Sequence, residues 1–395
     1  MEYEKGTRVF EGPVKCATWI RWSGKRNDGN PQNLPQKQTL AVQGRWKSST
    51  CAALIEIFSF DSLTLSLSSS PLAKLEIDGN PLTFAVHPSG DEFICATTNG
   101  CRLFELNEED SKLNILVKDL SNIHDVSSQK CMAFSTDGSR FATGGEDGHL
   151  RILKWPSQNV LLDESRAHKS FRDMDISLDS VFLATTSIDG SAKIWKIDEG
   201  VPLTSLTRNT GEKIECCRFS RDGTKPFLFC TVQKGNTGIT TVWDISTWNR
   251  IGYKRLLQKP ASVLSTSLDG KYLALGSNDG DMCIVDVKKM TICHWSKKLH
   301  LGTSISSIEF CPTERVTLST SGQWGACTTA LNVPADWKEW QIYLLLFGLF
   351  VASLAVFYVL YEISDSFWNF PVQPPKPSSS RTYLRTEMPD DQSAW

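Results

Sequence analysis

One phrase recurs along this chain: an apolar strand, a turn built on Pro, Asp or Gly, a second strand ending in small residues, another Asp-Gly-like turn, and a third strand. Six copies read TFAVHPSGDEFICATTNGCRLFEL, CMAFSTDGSRFATGGEDGHLRILKW, DMDISLDSVFLATTSIDGSAKIWKI, CRFSRDGTKPFLFCTVQKGNTGITTVWDI, STSLDGKYLALGSNDGDMCIVDV and SIEFCPTERVTLSTSGQWGACTTAL. Their first turns fall at Gly90, Gly138, Ser180, Gly223, Gly270 and Thr313, spaced by 48, 42, 43, 47 and 43 residues. A period at or just beyond about 40–45 residues is that of four-stranded propeller blades. A divergent copy lies upstream, with VKCATWIRW and TLAVQG as strands and AALIEIFSF after a polar loop. The repeats therefore predict an all-β fold, a seven-bladed β-propeller over residues 1–335. Alternating side chains and ring closure leave only short, protected edges in such a fold.

After a short linker, residues 336–341, comes IYLLLFGLFVASLAVFYVLY, residues 342–361, twenty residues without a charge. That matches the roughly 20 that a helix needs to cross about 30 Å of hydrocarbon. Trp337, Trp340 and Tyr343 flank one end, and Tyr358, Tyr361 and Trp368 the other, as interfacial aromatic belts do. The expected architecture is a propeller followed by a single C-terminal transmembrane helix. Residues 362–395 contain PVQPPKPSSS and are expected to be a disordered tail, extended by proline. Lysine and arginine counts do not orient the span, since Lys338 faces only Lys376 and Arg381. The acidic N-terminus without an apolar h-region, the dispersed cysteines and the absence of an Asn-x-Ser/Thr sequon point to a cytosolic propeller and a lumenal tail.

The formal net charge of −2 offers no basis for nucleic-acid binding, which rests on clustered Lys and Arg. Twelve cysteines run from Cys16 to Cys327 with no CxxC pair, so neither a metal nor another cofactor is expected. Cys216 and Cys217 are adjacent in a strand-like run and should point to opposite faces, as structural thiols.

One repeat carries Ala167-His168, Thr185, Ser187, Asp189-Gly190 and Trp195. Histidine, aspartate and hydroxyls together invite a catalytic-triad reading. The set resembles instead the hydrogen-bond relay of WD repeats, with His168, Ser187, Asp189 and Trp195 as structural members. No catalytic residue is assigned, because no nucleophile elbow, metal-ligand cluster or phosphate-cradling loop is present.

A propeller, one C-terminal span and a short tail resemble the layout of the Sec-twelve family of endoplasmic-reticulum proteins. The stretches IEIFSFDSLTLSLSSSPLA, QKCMAFSTDGSRFATGGEDG, AHKSFRDMDISLDSVFLATTSIDGSAKIW, DGTKPFLFC, SLDGKYLALGSNDG and KEWQIYLLLF leading into ISDSFW look like its plant branch, the phosphate transporter traffic facilitators. The resemblance implies an endoplasmic-reticulum membrane protein that promotes the exit of plasma-membrane phosphate transporters. It also implies, as the alternative, a guanine-nucleotide exchange factor for the Sar GTPase that starts COPII assembly. Exchange in the founding members depends on a glycine-rich, potassium-binding loop in the first blade. Here the equivalent stretch is QGRWKSST, residues 43–50, with one glycine, Gly44. Arg45 and Lys47 would repel a cation and Trp46 is bulky, so the expectation is no exchange activity. Gln43, Gly44, Arg45, Trp46 and Lys47 stand as partner-contact candidates, and the polar insert at residues 21–38 as a solvated loop.

Overall fold

The computed structural model describes residues 13–24, 37–47, 52–109, 112–118, 120, 127–224, 226–333 and 339–368. They fall into two compact units, Met1–Val333 and Pro334–Trp395.

The first unit is a ring of seven antiparallel sheets. Blade 1 contains β1 (Val14–Ser23), β2 (Lys37–Lys47) and β3 (Ala52–Asp61), with β4 (Ser66–Leu67) and β5 (Ala73–Ile77) both pairing to β3. Blade 2 holds β6 (Pro81–Val86), β7 (Glu92–Thr97), β8 (Gly100–Glu109) and β9 (Lys112–Lys118). Blade 3 holds β10 (Gln129–Phe134), β11 (Arg140–Gly145), β12 (Leu150–Lys154) and β13 (Asn159–Glu164). Blade 4 holds β14 (Phe171–Ile176), β15 (Phe182–Ser187), β16 (Ala192–Lys196) and β17 (Val201–Ser205). Blade 5 holds β18 (Glu212–Phe219), β19 (Phe227–Lys234), β20 (Thr237–Asp244) and β21 (Arg250–Lys254). Blade 6 holds β22 (Ala261–Thr266), β23 (Tyr272–Ser277), β24 (Met282–Asp286) and β25 (Thr291–Ser296). Blade 7 shows three strands among the described residues, β26 (Ile305–Phe310), β27 (Val316–Ser321) and β28 (Gly325–Ala330).

The first turns of the repeats sit between the first and second strands of their blades. Gly90, Gly138 and Gly270 adopt φ of +80°, +72° and +70°, and Ser180 takes the same left-handed region at +61°. Only glycine enters that region without a Cβ penalty.

The core is distributed along the blade boundaries. One apolar cluster occupies each boundary of the ring, including that between blades 7 and 1, where Trp19, Ala41 and Phe58 meet Val316, Leu318 and Ala326. The inner strands of each blade are therefore buried on both faces, which explains their nearly continuous apolar text, while outer strands such as β13, β17 and β21 are largely exposed. Every innermost strand also carries a β-bulge near its start, for example between Val14 and Cys16 and between Phe171 and Asp173. The extra residue adds local twist at the same point in all seven blades.

The second unit holds α1 (Glu339–Trp368), 30 residues and about 45 Å long at 1.5 Å per residue. Its stretch Trp340–Ile363, 24 residues with a mean hydropathy of 2.5 over its most apolar 18 and no buried residue among those, is long and apolar enough to cross a membrane. The helix exceeds the expected residues 342–361 at both ends. Residues 339–341, expected as linker, and 362–368, expected as tail, are helical. Charge counting locates the apolar middle of such a helix, whereas i to i−4 backbone bonding continues through its polar flanks. The remaining tail, residues 369–395, lies outside the described residues.

Candidate functional site

Residues 43–47 lie in a strand, as TLAVQG predicted for Gln43 and Gly44, and for residues 45–47 this corrects the expectation of a loop. They form the end of β2, in the middle of blade 1. Gln43 pairs with Ala17 on β1 and Glu56 on β3, and Gly44 with Cys16 and Ile55. Up to Arg45 the strand is flanked on both sides and commits its carbonyls to two ladders, while Trp46 and Lys47 pair with β3 alone. The rest of the stretch, residues 48–50, lies outside the described residues.

Burial divides the candidates. Gln43 is 1% exposed and its amide nitrogen has no hydrogen-bond partner. Gly44 is buried where a Cβ would come within 2.8 Å of Pro81 Cβ on blade 2 and 2.9 Å of Cys16 Sγ. Neither offers a partner any surface. Arg45 and Trp46 are half-buried. The Arg45 guanidinium donates from Nη1 to Glu56 Oε2 at 3.2 Å, and Lys74 Nζ holds the other carboxylate oxygen at 3.2 Å. Glu56, with 3% of its side chain exposed, was absent from the sequence reading. It explains Arg45: a buried carboxylate needs charged partners. Lys47 closes the strand opposite Ala52. The insert is also partly strand, since β1 and β2 stay paired out to Ser23 and Lys37.

The structure brings the blade 4 residues together around Thr185. Trp195 Nε1 donates to Thr185 Oγ1 at 2.9 Å, and that hydroxyl donates to the Lys193 carbonyl at 3.2 Å. With the single hydroxyl hydrogen so used, His168 Nε2, 2.8 Å away, must be the donor, which fixes the neutral tautomer. His168 Nδ1 faces the Ser191 hydroxyl at 3.4 Å, and Asp189 accepts from the Ser191 amide at 2.8 Å. Ser187 accepts from the Asp189 amide at 3.5 Å, so Asp189 reaches the histidine by way of Ser191. Burial, with help from Lys193 and against the pull of Asp189, lowers the His168 pKa to about 4. Thr185 is fully buried, so the arrangement braces strands and gives a substrate no access to its hydroxyl.

A second, shorter version was missed in the sequence. On blade 7, His300 is 3% exposed, sits 2.9 Å from Ser319 Oγ through Nε2, and has its pKa lowered to about 4 by burial. Thr329 occupies the place of Trp195, two residues beyond the strand partner of the hydroxyl residue. The available signal was a histidine ahead of an innermost strand, without the closing tryptophan.

Blades 4 and 5 are joined by an ion-pair ladder between β14 and β18 with the turn that follows β18. Arg172 pairs with Glu215, Arg218 with Asp173 and Arg221 with Asp175, at 2.5, 2.6 and 2.7 Å. The same aspartates accept from the amides of Cys217 at 3.0 Å and Phe219 at 2.7 Å. Among the described residues, the eleven cysteines are free, all but the half-buried Cys293 are buried, and burial pushes their pKa values up.

Known proteins resemble this chain in sequence. The family model for the WD domain, G-beta repeat, matches residues 121–153 and 159–196, which include blade 3 and most of blade 4. SEC12-like protein 1 of Arabidopsis thaliana is 54% identical over 376 residues, 94% of this chain and 92% of that protein. SEC12-like protein 2 of the same plant is 33% identical over 72% of this chain and 73% of its own length. The rat guanine nucleotide-exchange factor SEC12 is 28% identical over 47% of each chain. With that likeness running nearly end to end, the chain belongs to the SEC12-like family of WD-repeat proteins.

Proposed function

We propose that this protein is a non-enzymatic trafficking factor of the endoplasmic-reticulum membrane, which promotes the exit of plasma-membrane phosphate transporters and so supports phosphate uptake. The propeller faces the cytosol, α1 anchors it and the C-terminus is lumenal. The observation that carries the departure from exchange chemistry is the state of residues 43–47. Residues 43–45 are paired on both sides and 46–47 to β3, with Gln43 and Gly44 enclosed and Arg45 tied to Glu56. A backbone held in two ladders has no freedom to wrap a cation or to reach into a GTPase. The rigid ring offers a platform for clients, and a membrane anchor raises its effective concentration over theirs.

Likeness to exchange factors over about half the chain keeps the Sar GTPase and COPII components as the second reading. Full-length protein in detergent, mixed with a Sar-type GTPase loaded with labelled nucleotide, separates the two. Release at the spontaneous rate is expected, and strong acceleration would establish exchange instead. In cells lacking the protein, a fluorescent phosphate transporter should accumulate in the endoplasmic reticulum while an unrelated plasma-membrane protein reaches the surface. Normal surface delivery of both would defeat the export reading, and retention of both would return a general coat role.

A further inference from the structure

We propose that the edge of blade 5 on its β19–β20 turn side docks on the anionic headgroups of a lipid bilayer. Blade 5 extends furthest here among blades 2 to 7: β19 and β20 remain paired out to Lys234 and Thr237, around a turn at Gly235. On the inner side Lys213 lies beside Gln233, and Lys234 beside Glu212. On the outer side Lys254 pairs with Thr240, and the Lys259 carbonyl is 2.9 Å from where a Cβ on Gly238 would stand. The four lysines thus crowd one protruding corner. All are exposed, and among the described residues none forms an ion pair.

Nearby carboxylates do not neutralise them. Glu212 is buried and held by Arg250 at 3.1 Å and by Asn209, and the exposed Asp189, which accepts from the Ser191 amide, offsets only one of the four lysines. Beside the corner, Ile251 and Tyr253 share a face of β21 and are 57% and 70% exposed. Large apolar groups on the rim of a cationic patch are the side chains that enter a headgroup region.

The chemistry favours a lipid surface over an acidic peptide. Lysine is a compact point charge suited to a diffuse anionic layer, whereas recognition of a carboxylate chain favours the planar fork of arginine. The cavity beside Lys213 is lined by Asp189 and Glu212, whose carboxylates oppose entry of an acidic segment. A helix long enough to cross a membrane tethers the chain to a lipid bilayer, so the lysines meet anionic headgroups at a raised effective concentration.

The test is amine footprinting of the full chain in nanodiscs, of neutral phosphatidylcholine or with about one third phosphatidylserine. Acetylation of Lys213, Lys234, Lys254 and Lys259 should drop about threefold in the anionic discs and recover in about 0.5 M salt, where screening is strong. Lys288 and Lys289, exposed on the opposite turn side of blade 6, should label equally in both. The double variant Lys234→Glu, Lys259→Glu, at two exposed sites, should abolish protection of Lys213 and Lys254. Equal labelling in the two discs overturns the proposal. Protection that ignores lipid charge but follows added polyglutamate also overturns it and makes the corner a protein-docking surface.

Discussion

Thr185 has one hydroxyl hydrogen and two lone pairs, and the fold uses all three: Lys193 takes the hydrogen while His168 and Trp195 supply the donors. Thr185→Val keeps the shape and strands two buried N–H groups, at about 1–3 kcal/mol for each unsatisfied group. Chemical denaturation should therefore show a loss of at least about 2 kcal/mol, and a change within about 0.5 kcal/mol would mean that the relay adds nothing. Two of the buried histidines, His168 and His300, also set a pH dependence. Their pKa is about 4 in the fold and 6.5 ordinarily, so the unfolded chain takes up protons first as pH falls. Stability that is fully present above about pH 6.5 should decline toward pH 4. The thermal midpoint should drop over that window in the native protein and less steeply in His300→Gln, and equal slopes would assign the loss elsewhere. His168 was legible because Thr185, Asp189 and Trp195 accompany it in sequence. His300 was not, because its partner Ser319 is recognisable only once β26 and β27 pair.

At the scale of elements, the β14–β18 ladder and α1 make separate demands. Asp175 accepts from Arg221 and from the Phe219 amide. Asp175→Ala leaves both donors without their carboxylate, a change that costs about 3–5 kcal/mol for a buried pair. Hydrogen exchange should accelerate first at Phe219, and unchanged protection there would show that the ladder is not what joins blades 4 and 5. For α1, Leu349→Arg with Val351→Arg should release the protein from membranes under carbonate extraction, since each arginine opposes insertion by about 2.5–3.5 kcal/mol at mid-helix. Retention in the pellet would show that something other than this helix holds the chain there. The helix was readable from charge-free length alone. The ladder was hidden because its partners are about 45 residues apart in sequence, one on each of two blades. The continuation of β2 beyond TLAVQG, through residues 45–47, was misread as a loop for a related reason. Arg, Trp and Lys carry no alternation, and only pairing to β1 and β3 makes them a strand.

For the whole molecule, stability is shared around a closed ring, so the seam between blades 1 and 7 matters more than its size. Trp19 donates from Nε1 to the Glu309 carbonyl at 3.3 Å and meets Phe60 edge-on at 5.1 Å. Trp19→Ala should cost about 3–5 kcal/mol and raise exchange in both blades at once, whereas exchange confined to blade 1 would show that the seam does not couple them. The sequence by itself determined the number of blades and the apolar helix. Both follow from patterns along the chain: a turn-marked period and an uncharged run matched to hydrocarbon thickness. Tertiary structure alone decided the bulge in every inner strand, the seven inter-blade cores, the ion-pair ladder, the enclosure of Gln43 and Gly44, and the cationic corner of blade 5. Each of these depends on which side chains are brought face to face across strands and blades, and that is set by ring closure.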